Sequence, residues 1–225
     1  MRGLAALSAA IGLFSFTCLP AQSAIVYSNV NLEIYEGQGS FPSGLSETQV
    51  FLDGVTNSPT VTGHVGSQGG TPLVNFTANT GVTANEGFAD ISAINNQSTY
   101  STLNITVPGY TFGDIIFDTK LANKDPFDLT ISVYNGNTLL GTNTWTGDPL
   151  KTNANQSWLI LALDAVVFTE VVLQSNSGFE AIRHFELSEV TPVPLPATAW
   201  LLGSAALIGL GGLGLSRKRR AQSVR

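Results

Sequence analysis

The chain is poor in cysteine, in histidine and in charge. Of its 225 residues one is cysteine and two are histidine, and 12% are charged. A lone cysteine excludes an intramolecular disulfide and any thiolate metal cluster. Cys18 lies in an apolar run near the start, after Ser15-Phe16-Thr17. A lipoprotein signal wants an aliphatic residue three before the cysteine and a small one directly before it, so Cys18 reads as an apolar filler.

Positive charge is scarcer still in the body. Arg2 sits at the start, and Arg217, Lys218, Arg219, Arg220 and Arg225 sit at the end. Between them remain Lys120, Lys124, Lys151 and Arg183, four against sixteen acids, for a net charge of −12. Nucleic acid is excluded as a partner, because phosphate binding needs clustered cations. The acidity favours solubility.

Catalytic patterns are missing too. His64 stands in Thr62-Gly63-His64-Val65 and His184 in Ile182-Arg183-His184-Phe185, both read as ordinary strand or edge positions. No acid, base and nucleophile cluster suggests itself. Ser67-Gln68-Gly69-Gly70 carries no lysine and precedes no helix, so it is no phosphate cradle. No His or Cys pair has zinc spacing, no metal site is assigned, and no enzyme is expected.

What the chain does have is two apolar ends. Arg2 is followed by an apolar run from Leu4 to Leu19, a break at Pro20 and the small residues Ala21-Gln22-Ser23-Ala24. That is the pattern of a secretory signal peptide over 1–24, cut after Ser23 or Ala24. At the other end, Ala197 to Leu215 is nineteen residues without charge, about the minimum for a spanning helix. Trp200 stands near its outer end, and Arg217, Lys218, Arg219 and Arg220 follow at once. Positive charge stays on the cytoplasmic side, which places the body outside. Gly203, Gly209, Gly211, Gly212 and Gly214 weaken this helix, each by up to about 1 kcal/mol relative to alanine. Small residues also let helices approach closely.

Just before the span comes Val193-Pro194-Leu195-Pro196-Ala197. The two prolines fix φ and bias their predecessors to extended backbone, a form that suits a protease cleft. Proline motif, glycine-rich span and arginine cluster, in this order, resemble the PEP-CTERM sorting signal read by exosortases. The commonest family motif is Pro-Glu-Pro; Leu195 replaces the Glu here, as in the VPLPA-type variant. The resemblance covers Val193 to Arg225, within a C-terminal sorting-signal segment at 192–225, and implies an exosortase substrate. The chain is then exported, held transiently in the inner membrane by helix 197–215 and cut near Pro196. It goes on to the cell surface or extracellular matrix, beside exopolysaccharide.

The body, 25–191, alternates with period two. Val30–Ile34, Leu103–Val107 and Leu129–Val133 are the clearest cases. Asn135-Gly136 between alternating runs predicts a hairpin, with Thr138–Thr142 as its return strand. Further strands are expected at Val50–Leu52, Thr60–Val65, Leu73–Thr77, Phe88–Ile94, Asp114–Asp118, Trp158–Ala162, Thr169–Gln174 and Ile182–Val190. Trp158 to Leu173 lacks Gly and Pro, but its valines make it two strands bent near Leu163-Asp164-Ala165. The expectation is all-β: a single jelly-roll-like β-sandwich between signal peptide and transmembrane helix, with 191–196 as its stalk.

The strongest reading of function is a non-enzymatic surface or matrix protein. The alternative is a secreted carbohydrate-binding module associated with exopolysaccharide, calcium-assisted. Its glycan contacts would be Trp145, which lies between Thr144 and Thr146 and is expected to be exposed, and Tyr134. For calcium, Asp114, Asp118, Asp125, Asp128 and Asp148 supply oxygens but match no calcium loop.

Overall fold

The computed structural model describes residues 24–37, 41–87, 90–94, 99–122, 128–146 and 156–194. Within them lie fourteen strands and no helix. In chain order these are β1 (Ala24–Ser28), β2 (Leu32–Glu36), β3 (Thr48–Leu52), β4 (Val55–Val65) and β5 (Leu73–Ala84). Then come β6 (Ile91–Ala93), β7 (Tyr100–Thr106), β8 (Tyr110–Thr111), β9 (Asp114–Leu121) and β10 (Asp128–Asn135). The last are β11 (Thr138–Thr146), β12 (Gln156–Ala162), β13 (Glu170–Ser188) and β14 (Thr191–Pro192). The expected signal peptide up to residue 23, the helix 197–215 and the basic cluster 217–220 lie outside the described residues. Among the described residues no helix is long and apolar enough to cross a membrane.

The 19-residue β13 sets the architecture. Its first part pairs with β7 on one side and β10 on the other. Its second part pairs with β9, and with short stretches of β6 and β3. From β3 the ladder runs through β4 and β5 back to β7. The path β13–β7–β5–β4–β3–β13 therefore closes on itself. Two wings extend from it, β9–β12–β2–β1 and β10–β11, and all pairings are antiparallel. The wings meet. Asn29 and Asn31 each donate a side-chain N–H to the Leu140 carbonyl at 3.0 Å. The fold is all-β, a sandwich with barrel-like closure.

Period-two alternation supplies the interior, since alternate side chains of each strand share a face. Leu103 and Ile105, Leu129, Ile131 and Val133, and Val171 and Leu173 are all fully buried. Aromatic pairs fill the space between the layers. Phe76 and Phe185 have ring centroids 4.4 Å apart, and Tyr100 and Phe179 5.5 Å. Phe112 and Phe168 meet edge to face at 5.8 Å. The buried polar tips are bonded, as burial demands. Tyr100 Oη donates to the Ile91 carbonyl at 2.9 Å, and Trp158 Nε1 to Thr119 Oγ1 at 3.0 Å.

Most of the expected strands are recovered; of the run expected at Phe88–Ile94 only Ile91–Ala93 is strand, with 88–89 outside the described residues, and the run expected to Val190 ends at Ser188. Four other differences have local causes. The strand expected from Val30 is β2, which begins at Leu32, because Asn29 Oδ1 accepts the backbone N–H of Asn31 and Leu32 and holds a turn there. The hairpin turn is Gly136-Asn137, one residue later than Asn135-Gly136. The positive φ falls on Gly136, and Asn135 pairs with Thr138. The runs around 60 and 75 are longer than expected, since β4 accommodates Pro59 at a register irregularity, where a missing N–H does least harm. The runs expected at Thr169–Gln174 and Ile182–Val190 belong to one strand, β13, which passes Gly178 at φ 77° without ending. The bend expected near Leu163-Asp164-Ala165 is present, with Asp164 and Ala165 both at positive φ.

Candidate functional site

Among the described residues, four places hold the polar and aromatic chemistry of the body. The first is its junction with the proline motif. The stretch 191–196, read as a stalk, begins as a strand: β14 pairs with β8 through Thr191 and Pro192. Thr111 and Thr191 share a hydroxyl–hydroxyl hydrogen bond of 3.0 Å. Val193 then donates its backbone N–H to the Gly109 carbonyl at 2.9 Å, while its side chain is 45% exposed. Pro194 is exposed. The rest of the motif, Leu195, Pro196 and Ala197, and the cluster Arg217, Lys218, Arg219 and Arg220, lie outside the described residues.

The second is the aromatic pair. Trp145 was expected to be exposed; it is half-buried and packs on fully buried Trp158, with ring centroids 5.1 Å apart. The register explains this, because Trp145 stands opposite Leu129, on the face that carries the core. Tyr134 alternates with Ser132 and Thr130 on the other face of β10. The two rings therefore do not form one platform.

The third is the set of acids and histidines. Asp118 is buried between β12 and β13, and accepts Ser157 Oγ at 2.5 Å and His184 Nδ1 at 2.7 Å. The carboxylate, not the imidazole, stands between the other two. A nucleophilic triad needs the histidine in the middle, so Ser157 has no base on its hydroxyl from this pair. His184 itself is held at φ 52°, a conformation uncommon for non-glycine residues. Glu186 nearby has its carboxyl raised above the ordinary value, first by burial and then by Glu47, with His184 opposing. Asp114, also buried, accepts Ser188 Oγ and the backbone N–H of Ala162. His64 places Nδ1 2.8 Å from the Gly70 carbonyl and Nε2 3.0 Å from Asp53 Oδ1. Among the described residues no three His, Cys, Asp or Glu side chains gather where a metal ion could sit. Asp114, Asp118 and Asp128 fall on separate hydrogen-bond networks, and Asp125 and Asp148 lie outside the described residues.

The fourth was missed in the sequence. It is an open cavity of about 200 Å³ between β7, β13 and β10. Ser101 and Thr102 line it from β7, Asp128 and Thr130 from β10, and Gln174, Ser175 and Asn176 from β13. The backbone opens it. Gln174 pairs with Thr102, but the next pair is Phe179 with Tyr100, so four residues of β13 oppose Ser101 alone. A bulge of this kind disrupts the ladder and bends the strand. Asn79 braces the facing edge, its Oδ1 accepting the backbone N–H of Ser101 and Thr102 at 2.9 and 3.0 Å. Asn176 Nδ2 donates to Asp128 Oδ2 at 2.6 Å across the gap. The only signal in the sequence was the polar run Gln174-Ser175-Asn176-Ser177-Gly178, which looks like a loop between two strands.

Fold and sites together define an all-β sandwich-like domain whose described polar side chains chiefly satisfy one another, with a hydroxyl- and amide-lined cavity among the described residues. Comparison with protein-family models, with curated proteins and with solved structures finds no match for this chain.

Proposed function

We propose that the chain is an exported cell-surface or extracellular-matrix protein, processed at its C-terminal sorting signal by an exosortase. Its body is a non-enzymatic, jelly-roll-like β-sandwich. The signal peptide 1–24 exports that body. The helix 197–215 and the basic cluster after it hold the chain in the inner membrane until cleavage near Pro196 releases it.

The observation that supports this reading is that the described strands lie between the two expected processing points. β1 pairs Ala24 with Glu36, and Val193 donates its backbone N–H to the Gly109 carbonyl. A cut after Ser23 leaves β1 whole, a cut after Ala24 takes only its first residue, and a cut near Pro196 leaves every described strand in place. The exposed Pro194 leads directly off this edge into the rest of the motif. The jelly-roll-like topology is supported by neighbours distant in sequence, β13 beside β3 and β12 beside β2, which need long returns of the Greek-key kind. The carbohydrate-module alternative built on Trp145 and Tyr134 is not favoured, since these rings sit on opposite faces of the hairpin.

Tagging both ends in a bacterium with an active exosortase tests the reading. The mature surface protein should lack Arg217 to Arg225 and the C-terminal tag, and deleting the exosortase should leave the tag on membrane-bound protein. A surface form that keeps its basic tail in exosortase-positive cells would falsify it.

A further inference from the structure

We propose that β8 and β14 form a latch that must open before the proline motif is cut, so that the body regulates its own processing. The proposal rests on the sorting reading above and adds a step to it.

The body grips the chain as far as the first residue of the motif. Thr191 pairs with Thr111 and Pro192 with Tyr110. Thr111 Oγ1 lies 3.0 Å from Thr191 Oγ1 and 3.4 Å from the Thr191 carbonyl oxygen. Val193 donates its backbone N–H to the Gly109 carbonyl at 2.9 Å. That carbonyl is presented by a tight turn, in which Gly109 stands at φ 79° and the Tyr110 N–H bonds to the Val107 carbonyl at 2.9 Å.

Length decides whether a protease can work beyond this grip. A chain spans at most ~3.3–3.6 Å per residue. Pro196 is three residues beyond Val193, so with the latch closed the expected cut lies within about 10–11 Å of the body. A protease wall one helix thick already takes ~10–12 Å. The cleft also needs extended backbone on both sides of the bond it cuts, with main-chain groups free to bond to it, and the Val193 N–H is committed to Gly109. With Thr191–Val193 peeled away, the anchor becomes Val190, which is half-buried and packs against the core. Pro196 then stands six residues out, ~20–22 Å, and the wall fits.

The same contacts are weak enough to open. Thr191, Pro192 and Val193 are all exposed, so little apolar burial opposes release. Pro192 has no N–H to give to the ladder. A two-residue ladder of exposed residues belongs to the low-stability end of a fold, where local opening is frequent.

The test follows the full-length chain, tagged at both ends, by pulse–chase in a bacterium with an active exosortase. Thr111→Val keeps the branched side chain and removes both hydroxyl contacts. It should speed loss of the C-terminal tag by up to about tenfold, the equivalent of one neutral hydrogen bond. Thr111→Cys with Thr191→Cys, in a Cys18→Ser background, closes the latch covalently, since hydroxyls 3.0 Å apart put the two sulfurs within reach of a disulfide. The oxidised chain should keep its tag, and dithiothreitol added to isolated membranes should release the block. Each single cysteine variant should be cut with or without the reductant. In cells that cut the wild type, the latch is overturned if the oxidised chain is cut as fast as the reduced one, or if Thr111→Val is cut no faster than the wild type. If neither the wild type nor Thr111→Val is cut at all, the sorting reading itself has failed, and this proposal with it.

Discussion

Gly178 is the position at which β13 leaves one part of the sheet for another, and replacing it by alanine should expose the strain that glycine avoids. Its φ is 77°, where a Cβ costs about 1–2 kcal/mol. A Cβ there would also lie 2.5 Å from Thr99 Cβ, inside the distance real side chains keep. Overpacking of this kind costs about 1–3 kcal/mol. Against these stands the loss of chain freedom in the unfolded state, worth about 0.4–1 kcal/mol in favour of alanine. The net expectation is a loss of about 1–4 kcal/mol, a large part of the ~5–15 kcal/mol that holds a domain together. Urea unfolding of residues 24–194 should show the midpoint falling with the slope unchanged. Thr99→Gly removes the opposing atoms, so in a double-mutant cycle it should recover the steric share and leave the φ share. If Gly178→Ala unfolds at the wild-type midpoint, or the cycle shows no coupling, the account of how β13 serves two parts of the sheet is wrong.

Three further outcomes follow from the same contacts. Trp158→Ala should cost about 3–5 kcal/mol, since the ring is fully buried and Thr119 Oγ1 loses its donor; Trp145→Ala should cost less, and equal losses in thermal unfolding would contradict the half-buried placement of Trp145. Glu186 has a carboxyl raised above 4.5 by burial and by Glu47, so its contribution is favourable at acid pH and is lost as pH rises through the folded value. Glu186→Gln should therefore be more stable than the wild type at neutral pH and not below pH 4.5, and a Tm–pH series that shows no such crossover counts against it. Burial and the 2.5 Å bond to Glu33 push the Tyr35 phenol up to about 12, so stability should fall as pH rises from 10 through 12, and Tyr35→Phe should reduce that fall. A phenolate absorbance titration in which Tyr35→Phe removes a component near pH 10 instead of near 12 would refute the burial of this ring.

The sequence by itself determined the strands and the character of the two ends. Leu129-Thr130-Ile131-Ser132-Val133 can bury one face only as a strand, and Asn135-Gly136-Asn137 can turn only because glycine accepts positive φ; both are local properties, and local pattern carries them. The proline motif, the uncharged run and the arginine cluster are likewise local. Strand pairing is not. That β13 continues through Gln174–Gly178, although this run is polar, depends on β9 and β6 waiting beyond Gly178 to pair with Phe179 onwards. Trp145 looked exposed beside its threonines, but its burial was decided by Leu129 across the hairpin and by Trp158 in the other layer. The cavity needed Ser101, Asp128 and Ser175 from three strands, brought together by a bulge that no spacing of residues announces. Alternation tells each strand which side chains to hide; only the packed sheet decides which other strand hides them, because that choice is made by contacts far apart along the chain.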